Sequence, residues 1–202
     1  MNKTLRMGAA GAAIAFAMSM GTVAHAADNA DATAKVEVLK PLVLTNTADL
    51  DFAAVAVNGA GTAAMAIDAA GSPDLTCSAN LVCVGNTSLA AFTVSNGSAG
   101  RTVTVSLPAA GIDLVHTAPA VAGAPDATTE VIELDNYVTD ATSNSVTDAG
   151  GTTTTWYTVA LGAAGAADEG TASFQVGGEL NFDGGEVAGS YEGTFNVSVE
   201  YS

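Results

Sequence analysis

The sequence predicts an all-β protein, an immunoglobulin-like antiparallel β-sandwich of about seven or eight strands. Several segments alternate apolar and polar residues with the two-residue period of a strand that buries one face. These segments are rich in Thr and Val and are separated by Gly, Asn and Asp, and no run has the caps and spacing of an amphipathic helix. Two packed antiparallel sheets bury one face of many short strands in a shared core.

The charge balance excludes some partners. The 202 residues include 21 acidic and five basic side chains, and the formal net charge is −16. A nucleic-acid partner requires Lys and Arg to displace counterions from its phosphates, so nucleic acid is excluded as a partner. Docking on an anionic lipid surface is disfavoured for the same reason. Mutual repulsion of this size favours solubility.

Residues 1–26 have the pattern of a cleavable export signal. Lys3 and Arg6 precede an apolar run over 8–23, and the A-x-A sequence at 24–26 places the cut after Ala26. A membrane anchor is the weaker alternative, because Gly and Ser dilute a run that would need about 20 strongly apolar residues. We therefore expect no membrane span after cleavage, a net charge of −18, and a location in the periplasm, on the cell surface or outside the cell.

The expected domain organisation is a signal at 1–26, an N-terminal segment at 27–40 and a single β-sandwich domain at 41–202. Within the segment, four apolar residues alternate with polar ones: Ala32, Ala34, Val36 and Val38. Pro41 breaks the phase, since proline fixes φ and lacks an N–H. The alternation fits either one bent first strand of the same sandwich or a detachable donor strand that precedes the first domain strand.

The domain's predicted strands follow in order. A strand at Leu42–Leu44 leads toward Leu50-Asp51-Phe52, and a strand at 89–95 leads into the tight-turn pair Asn96-Gly97. Further strands are predicted at 101–107, 129–138, 155–161 and 172–182. Low-complexity stretches at 118–127, 143–154 and 162–170 are predicted to be loops.

The C-terminal segment has the clearest alternation in the chain. Its apolar positions recur every second residue, with polar residues between them, and we predict one strand of eleven residues whose buried face carries Tyr191, Phe195, Val197, Val199 and Tyr201.

The remaining residues offer little chemistry. Cys77 and Cys83 are predicted to form a disulfide, the default for such a pair in an exported protein, worth about 2–2.5 kcal/mol for so short a loop. His116 is the only histidine beyond the signal and has no recognisable nucleophile motif around it. We expect no enzyme activity, cofactor or metal, and we interpret the acidic turn at 183–186 as solvated, with a weak cation site as the alternative.

The two ends of the mature chain carry a family resemblance. Residues 41–52, which end in Leu50-Asp51-Phe52, and the segment from Tyr191 to Tyr201 resemble the family called domain of unknown function 4402. That family is in turn similar to the spore-coat-U type pilins of archaic chaperone–usher pili. Family members often have Gly after the Phe, where this chain has Ala53. The pilins usually have a cysteine where this chain has Pro41-Leu42.

The resemblance implies a structural or adhesive subunit with an incomplete immunoglobulin-like fold, which lends its N-terminal strand to a neighbour. Homopolymers, a periplasmic chaperone and an outer-membrane usher would then be its partners. The alternative is a self-complete secreted module that binds a carbohydrate or protein through its loops. The first candidates for such binding are the aromatic residues Tyr137, Trp156 and Tyr157.

Overall fold

A computed structural model of the chain describes residues 31–121 and 123–202. The predicted signal at 1–26 lies outside the described residues and stays a prediction. Residues 38–202 form one compact unit, which carries every strand found among the described residues. The all-β antiparallel fold is confirmed: the described residues contain no helix and have fourteen strands, several of them very short, where seven or eight were expected. None of the described residues belongs to a helix that could cross a membrane.

The strands pair with one another in antiparallel ladders. In chain order they are β1 (Val43–Ala48), β2 (Ala54–Val57), β3 (Gly61–Ile67), β4 (Pro73–Cys77), β5 (Leu81–Val84), β6 (Ala90–Ser95), β7 (Thr102–Ser106), β8 (Ile112–His116), β9 (Val131–Thr139), β10 (Thr142–Thr147), β11 (Thr153–Ala160), β12 (Ala172–Phe182), β13 (Tyr191–Glu192) and β14 (Ser198–Tyr201).

The largest sheet is organised around β12. Its strands run in the order β1-β6-β12-β9-β8-β13, and the β3–β4 hairpin joins the same sheet through β12. The first half of β12 pairs with β6 and the second half with β3, so two strands lie end to end along one edge of β12. Gly177 lies at the junction, where a Cβ would overlap the Met65 carbonyl oxygen. A side chain at 177 would therefore separate β12 from β3.

Two smaller sheets cover the largest one. The sheet β10-β11-β7-β14 packs over a first core, whose buried residues include Phe92, Val103, Val105, Phe174 and Val176. The pair β2–β5 packs over a second core, which includes Phe52, Met65, Leu134, Leu180 and Phe182. Alternate residues of β12 enter both cores because the strand keeps a single buried face along its length.

Most predicted strands are confirmed, with boundaries shifted by a few residues. The segments 89–95, 101–107, 129–138, 155–161 and 172–182 correspond to β6, β7, β9, β11 and β12. The predicted loop at 143–154 is wrong, because β10 and the start of β11 form an exposed hairpin there. The hairpin buries little of either face, so it lacks the apolar alternation that identifies a strand. Strands β2 to β5 were not predicted.

The single C-terminal strand is also wrong. Tyr191 lies in β13, which pairs with β8 in the largest sheet, whereas Val199 and Tyr201 lie in β14, which pairs with β7 in the opposite sheet. Residues 193–197, which include Phe195 and Val197, lie between β13 and β14 and belong to neither strand. The chain crosses from one sheet to the other there, and Gly193 permits the crossing, since a Cβ would lie 2.8 Å from the Asp113 carbonyl oxygen. The alternation persists because Phe195 and Val197 still face the core.

The disulfide between Cys77 and Cys83 is confirmed. Cys77 ends β4 and Cys83 lies within β5, so the bond ties the β3–β4 hairpin of the largest sheet to the β2–β5 pair. Both cysteines also pack against the second core.

We expect replacement of both Cys77 and Cys83 by Ala to lower the free energy of unfolding by about 2 kcal/mol, because the bond closes only a short loop in the unfolded chain. Urea unfolding with and without reductant measures this change. The native protein should lose the same amount on reduction, and the double variant should not respond to reductant. A loss of more than about 4 kcal/mol would show that the bond holds the two sheets together.

Ala53 adopts a backbone conformation that favours glycine. Its φ is 58°, and its N–H donates to Asp51 Oδ1 over 2.7 Å in the turn after the Leu50-Asp51-Phe52 sequence. A left-handed conformation is unfavourable for any residue with a Cβ. The glycine expected from the family resemblance at this position therefore has a physical reason.

We expect Ala53→Gly to stabilise the protein by about 0.5–1 kcal/mol, because glycine adopts positive φ without strain. The matched control is Ala54→Gly, one residue along in β2, which should destabilise by a similar amount since it only adds freedom to the unfolded chain. Thermal unfolding of the two variants checks the difference. Equal destabilisation by both substitutions would contradict the argument.

Candidate functional site

A groove of about 830 Å³ separates the two edges of the largest sheet. The path of this sheet ends at β1 on one side and at β13 on the other, and the segments next to these edge strands form the two walls. The first wall runs along 46–52 and the second along 191–195. The lining residues are Asn46, Asp49, Leu50, Phe52, Ala90, Phe92, Leu114, Leu134, Tyr191, Glu192, Gly193, Thr194 and Phe195.

The floor of the groove is apolar and reaches the core. Phe92 and Ala90 of β6, Leu114 of β8 and Leu134 of β9 supply it. The Phe92 ring stacks on Phe174, with 5.4 Å between ring centroids, so the floor rests directly on the first core. Phe92, Ala90 and Leu134 are already buried, so the apolar area left for an occupant to cover comes from half-buried Leu50, Leu114 and Phe195, at about 25 cal/mol for each Å² removed from water.

The second wall presents main-chain groups as well as side chains to the groove. Residues 193–197 pair with no strand of the described chain, although Phe195 still packs inward against the Phe92 and Tyr137 rings, at centroid distances of 6.4 and 5.3 Å. An extended wall outside any ladder can accept main-chain hydrogen bonds from an added strand. The groove thus combines an apolar floor with a segment able to pair.

The first wall is fixed by a short backbone bridge. Asp51 and Ser88 exchange N–H···O bonds of 2.9 and 3.0 Å, and Ser88 Oγ donates to the Asp49 carbonyl oxygen over 2.7 Å. Leu50 contacts both cores and anchors this wall between them. Asp49 here and Glu192 opposite add a carboxylate to each wall, and none of the described lining residues is basic.

A buried polar cluster supports the start of the second wall. Tyr191 pairs with His116 across β13 and β8, and their rings meet edge to face at 5.1 Å. His116 Nδ1 accepts a hydrogen bond from Ala118 N. Glu130, only 4 % exposed, accepts from Asp126 N and Ala120 N and so closes the loop between β8 and β9.

Contacts within this cluster shift the pKa values of Glu130 and Tyr191. The hydrogen bonds from the Asp126 and Ala120 amides lower the pKa of Glu130. Burial, together with the charge of nearby Glu186, raises the pKa of Tyr191. The Tyr191 hydroxyl lies 2.9 Å from the Thr129 carbonyl oxygen and 2.7 Å from that of Val187, so it can donate to either. The Tyr191 hydroxyl therefore ties the start of the second wall to Thr129 and Val187, and Glu130 fixes the adjoining loop.

The four residues predicted to donate a strand are all exposed. Ala32, Ala34, Val36 and Val38 belong to no strand among the described residues, and Val36 and Val38 are 89 % and 88 % exposed. The chain is fixed just after them: Lys40 N donates to Ser98 Oγ over 2.9 Å, and Tyr201 Oη donates to the Lys40 carbonyl oxygen over 2.8 Å. The anchoring role of Tyr201 was not visible in the sequence, which predicted only its buried face.

The three aromatic residues predicted as binding candidates do not form one site. Tyr157 faces inward and packs against the first core. Tyr137 packs against Phe195, and its hydroxyl donates to the Leu134 carbonyl oxygen over 3.2 Å. Trp156 lies on the opposite face of β11 from Tyr157 and is 37 % exposed. Of the three, Trp156 alone presents a large aromatic surface to solvent.

In the acidic turn at 183–186, a carboxylate of the turn accepts hydrogen bonds from backbone amides of the same turn. Glu186 accepts hydrogen bonds from the Asp183 and Gly184 amides, so its oxygens close the turn. Within the described residues, no group of three or more His, Cys, Asp or Glu side chains is arranged to hold a metal ion.

These features define a class of protein: an all-β antiparallel sandwich domain with an open groove between its sheet edges, whose floor is apolar. Residues 42–201 match the family described as Domain of unknown function (DUF4402), and the chain belongs to this family. No curated protein and no solved structure matches the chain.

We expect Glu130→Gln to be less stable than the native protein at pH 7, because the amide offers one acceptor to the two backbone donors. The folded pKa of Glu130 is lowered, so its ionised form contributes stability above the unfolded value of about 4.3. That contribution is lost as the pH falls through the folded pKa. The gap between the two proteins should therefore close below about pH 4, as thermal unfolding midpoints from about pH 3 to 7 would measure.

Glu133→Gln is the matched control, since Glu133 is exposed on neighbouring β9 and undergoes the same chemical change. It should leave the midpoint at pH 7 nearly unchanged. A gap for Glu130→Gln that stays constant over the whole pH range would contradict the role of its charge.

Proposed function

We propose that this protein is an exported structural or adhesive subunit, similar to the spore-coat-U type pilins, whose groove accepts the N-terminal strand of a second copy. The observation that carries the proposal is the apolar groove between two sheet edges, with a wall at 193–197 that lies outside any ladder. A donated strand pairs its main chain with such a wall and places alternate side chains in the groove.

The N-terminal segment has the properties of the donated strand. Residues 32–38 are exposed and alternate apolar with polar side chains. Extended, they span about 20 Å, which exceeds the roughly 13 Å of the wall from Tyr191 to Phe195. The apolar residues are small, in keeping with a groove whose floor is already partly filled by Phe92 and Leu134.

The anchoring of Lys40 favours a second copy over the same chain as the source of the strand. Lys40 is held beside Ser98 and Tyr201, at the end of the sandwich where β1 begins. The groove adjoins the other end of β1, about 17 Å away along a six-residue strand. Residues 32–38 of the same chain would use up most of their length in reaching the groove.

Under this proposal the segment 1–26 directs export, and the subunit forms a homopolymer in the periplasm, on the cell surface or outside the cell. A periplasmic chaperone would cover the groove before assembly, and an outer-membrane usher would catalyse strand exchange. The alternative is a self-complete secreted module whose groove needs no strand. The two differ in whether the segment stabilises another copy of the domain.

The test compares the mature protein with a version lacking residues 28–38 and adds the peptide 28–38 in trans. At a hundredfold excess over its Kd the peptide should stabilise the shortened protein by about 2.7 kcal/mol. The unfolding midpoint should then rise by roughly 5–10 °C. Because Asp28, Asp31 and Glu37 outweigh Lys35 in the peptide and the domain is also acidic, added salt should strengthen this binding.

Two matched controls make the test specific. A peptide with Val36→Ser and Val38→Ser keeps the charge but loses apolar surface, and it should bind far more weakly. Thr194→Tyr narrows the groove from its exposed wall, whereas Thr142→Tyr makes the same change on distant β10. Only the first should block the peptide. If the shortened protein folds alone and the peptide changes neither its stability nor its oligomer size, strand donation is wrong.

A further inference from the structure

The outer face of the sheet β10-β11-β7-β14 carries a different kind of surface from the rest of this acidic chain. Registered pairs place Thr142, Thr158, Thr104 and Glu200 in one row across the four strands. Asn144 pairs with Trp156 in the neighbouring row, where Ser106 pairs with Ser198. We call these eight residues the hydroxyl face.

Hydrogen bonds along the hydroxyl face hold its side chains in place. Asn144 Nδ2 donates to Thr158 Oγ1 over 2.9 Å, and Thr104 Oγ1 lies 2.8 Å from Ser202 Oγ. Trp156 lies among these polar groups with 37 % of its surface exposed. The face therefore presents hydroxyl and amide groups, three of them held by hydrogen bonds, around one exposed indole ring.

A cleft of about 520 Å³ adjoins Trp156 at the end of β7. The turn at 107–111 forms one side of this cleft, and Asp135 and Asn136 of β9 form another. Asn136, with φ of 46°, lies in a bulge where two residues of β9 oppose Gly178. Bulges re-aim side chains near binding sites, and the cleft has the volume of a small-ligand pocket.

The polar groups of the cleft are oriented by neighbours. Asp135 Oδ1 accepts from Asn181 Nδ2 over 3.0 Å, and Asn136 Nδ2 donates to Glu179 Oε1 over 3.1 Å. A carboxylate with one such bond retains acceptor capacity for the hydroxyl groups of a ligand. An exposed aromatic surface beside fixed acceptors and donors is the combination that sites for small polar ligands use.

The charged residues of the hydroxyl face and the net charge of the chain restrict the charge of a ligand. Glu200 is the only charged side chain among the eight residues of the hydroxyl face, although the chain carries 21 acidic residues. The net charge of the chain repels anions, and the face and cleft together supply only two carboxylates, Glu200 and Asp135, of which Asp135 already accepts from Asn181. A neutral ligand rich in hydroxyl groups fits both conditions.

We infer that Trp156, the hydroxyl face and the adjoining cleft bind a neutral, β-1,4-linked hexopyranose chain. The flat C–H surface of one sugar ring packs on the indole, and the hydroxyl groups of its neighbours exchange hydrogen bonds with Asn144, Thr104 and Asp135. A β-1,4-linked chain is chosen because its extended, ribbon-like form can lie across the rows of side chains on a sheet face. The described lining residues of this cleft differ from those of the strand-accepting groove, so the site does not depend on the proposed function.

Trp156 is the only tryptophan of the chain, so the fluorescence of the unmodified full chain reports on this site alone. Titration with cellohexaose or mannohexaose should shift the emission saturably, at a Kd of roughly 1 mM or below. The anionic hexamer of galacturonic acid should cause no shift. Because the ligand is neutral, the Kd should not change between low and moderate salt.

Calorimetry with variants completes the test. Trp156→Ala should weaken cellohexaose or mannohexaose binding at least about tenfold, and Val84→Ala, an exposed change on β5, should not alter it. Thr194→Tyr in the groove should also leave sugar binding intact. The inference is overturned if neither neutral sugar binds at about 10 mM, or if Trp156→Ala binds as well as the native chain. It is equally overturned if emission shifts with protein concentration alone, which would assign the face to a second copy.

Discussion

The fold depends on one constraint: β12 must serve two cores with a single buried face. Phe174 and Val176 enter the first core, and Leu180 and Phe182 enter the second. Between them Gly177 lets β3 approach, and Gly178 lies opposite the bulge of β9. Because β12 is one continuous strand with one buried face, both cores lie against the same face of the largest sheet.

The groove follows from this arrangement. The largest sheet spans two cores and is covered by two separate smaller sheets, and the C-terminal chain crosses from the largest sheet to one of these covers between β13 and β14. The crossing leaves residues 193–197 outside any ladder, beside the apolar floor of the groove. Main-chain groups and apolar surface are thus left available at the same place, which is where a further strand would stabilise the domain.

The two proposed surfaces have different chemistry because they lie on different sides of the sandwich. The groove opens between sheet edges, where Leu50, Leu114 and Phe195 are half-buried above the buried Phe92 and Leu134. The hydroxyl face is the solvent side of a complete sheet, where alternation places Thr, Ser and Asn outward and Val and Tyr157 inward. The proposed strand-accepting groove and the proposed ligand site therefore share no lining residue.

Much of this fold was predictable from local pattern. The alternation at 172–182 identified β12 to the residue, because a strand with one buried face records its period in its sequence. The cysteine pair in a chain with an export signal predicted the disulfide. The hairpin of β10 and β11 and the Ala-rich strands β2 to β5 were missed, because exposed hydroxyl residues and small side chains carry little periodic signal.

By itself, the sequence determined the fold class, the face of each strongly alternating strand and the acidity of the chain, since these depend on side-chain type and local period. The tertiary structure alone decided that the C-terminal alternation is divided between two sheets, and that Leu50 and Phe195 face each other across a groove. Both outcomes depend on which distant strands share hydrogen bonds, and a period of two is the same whichever partner a strand has.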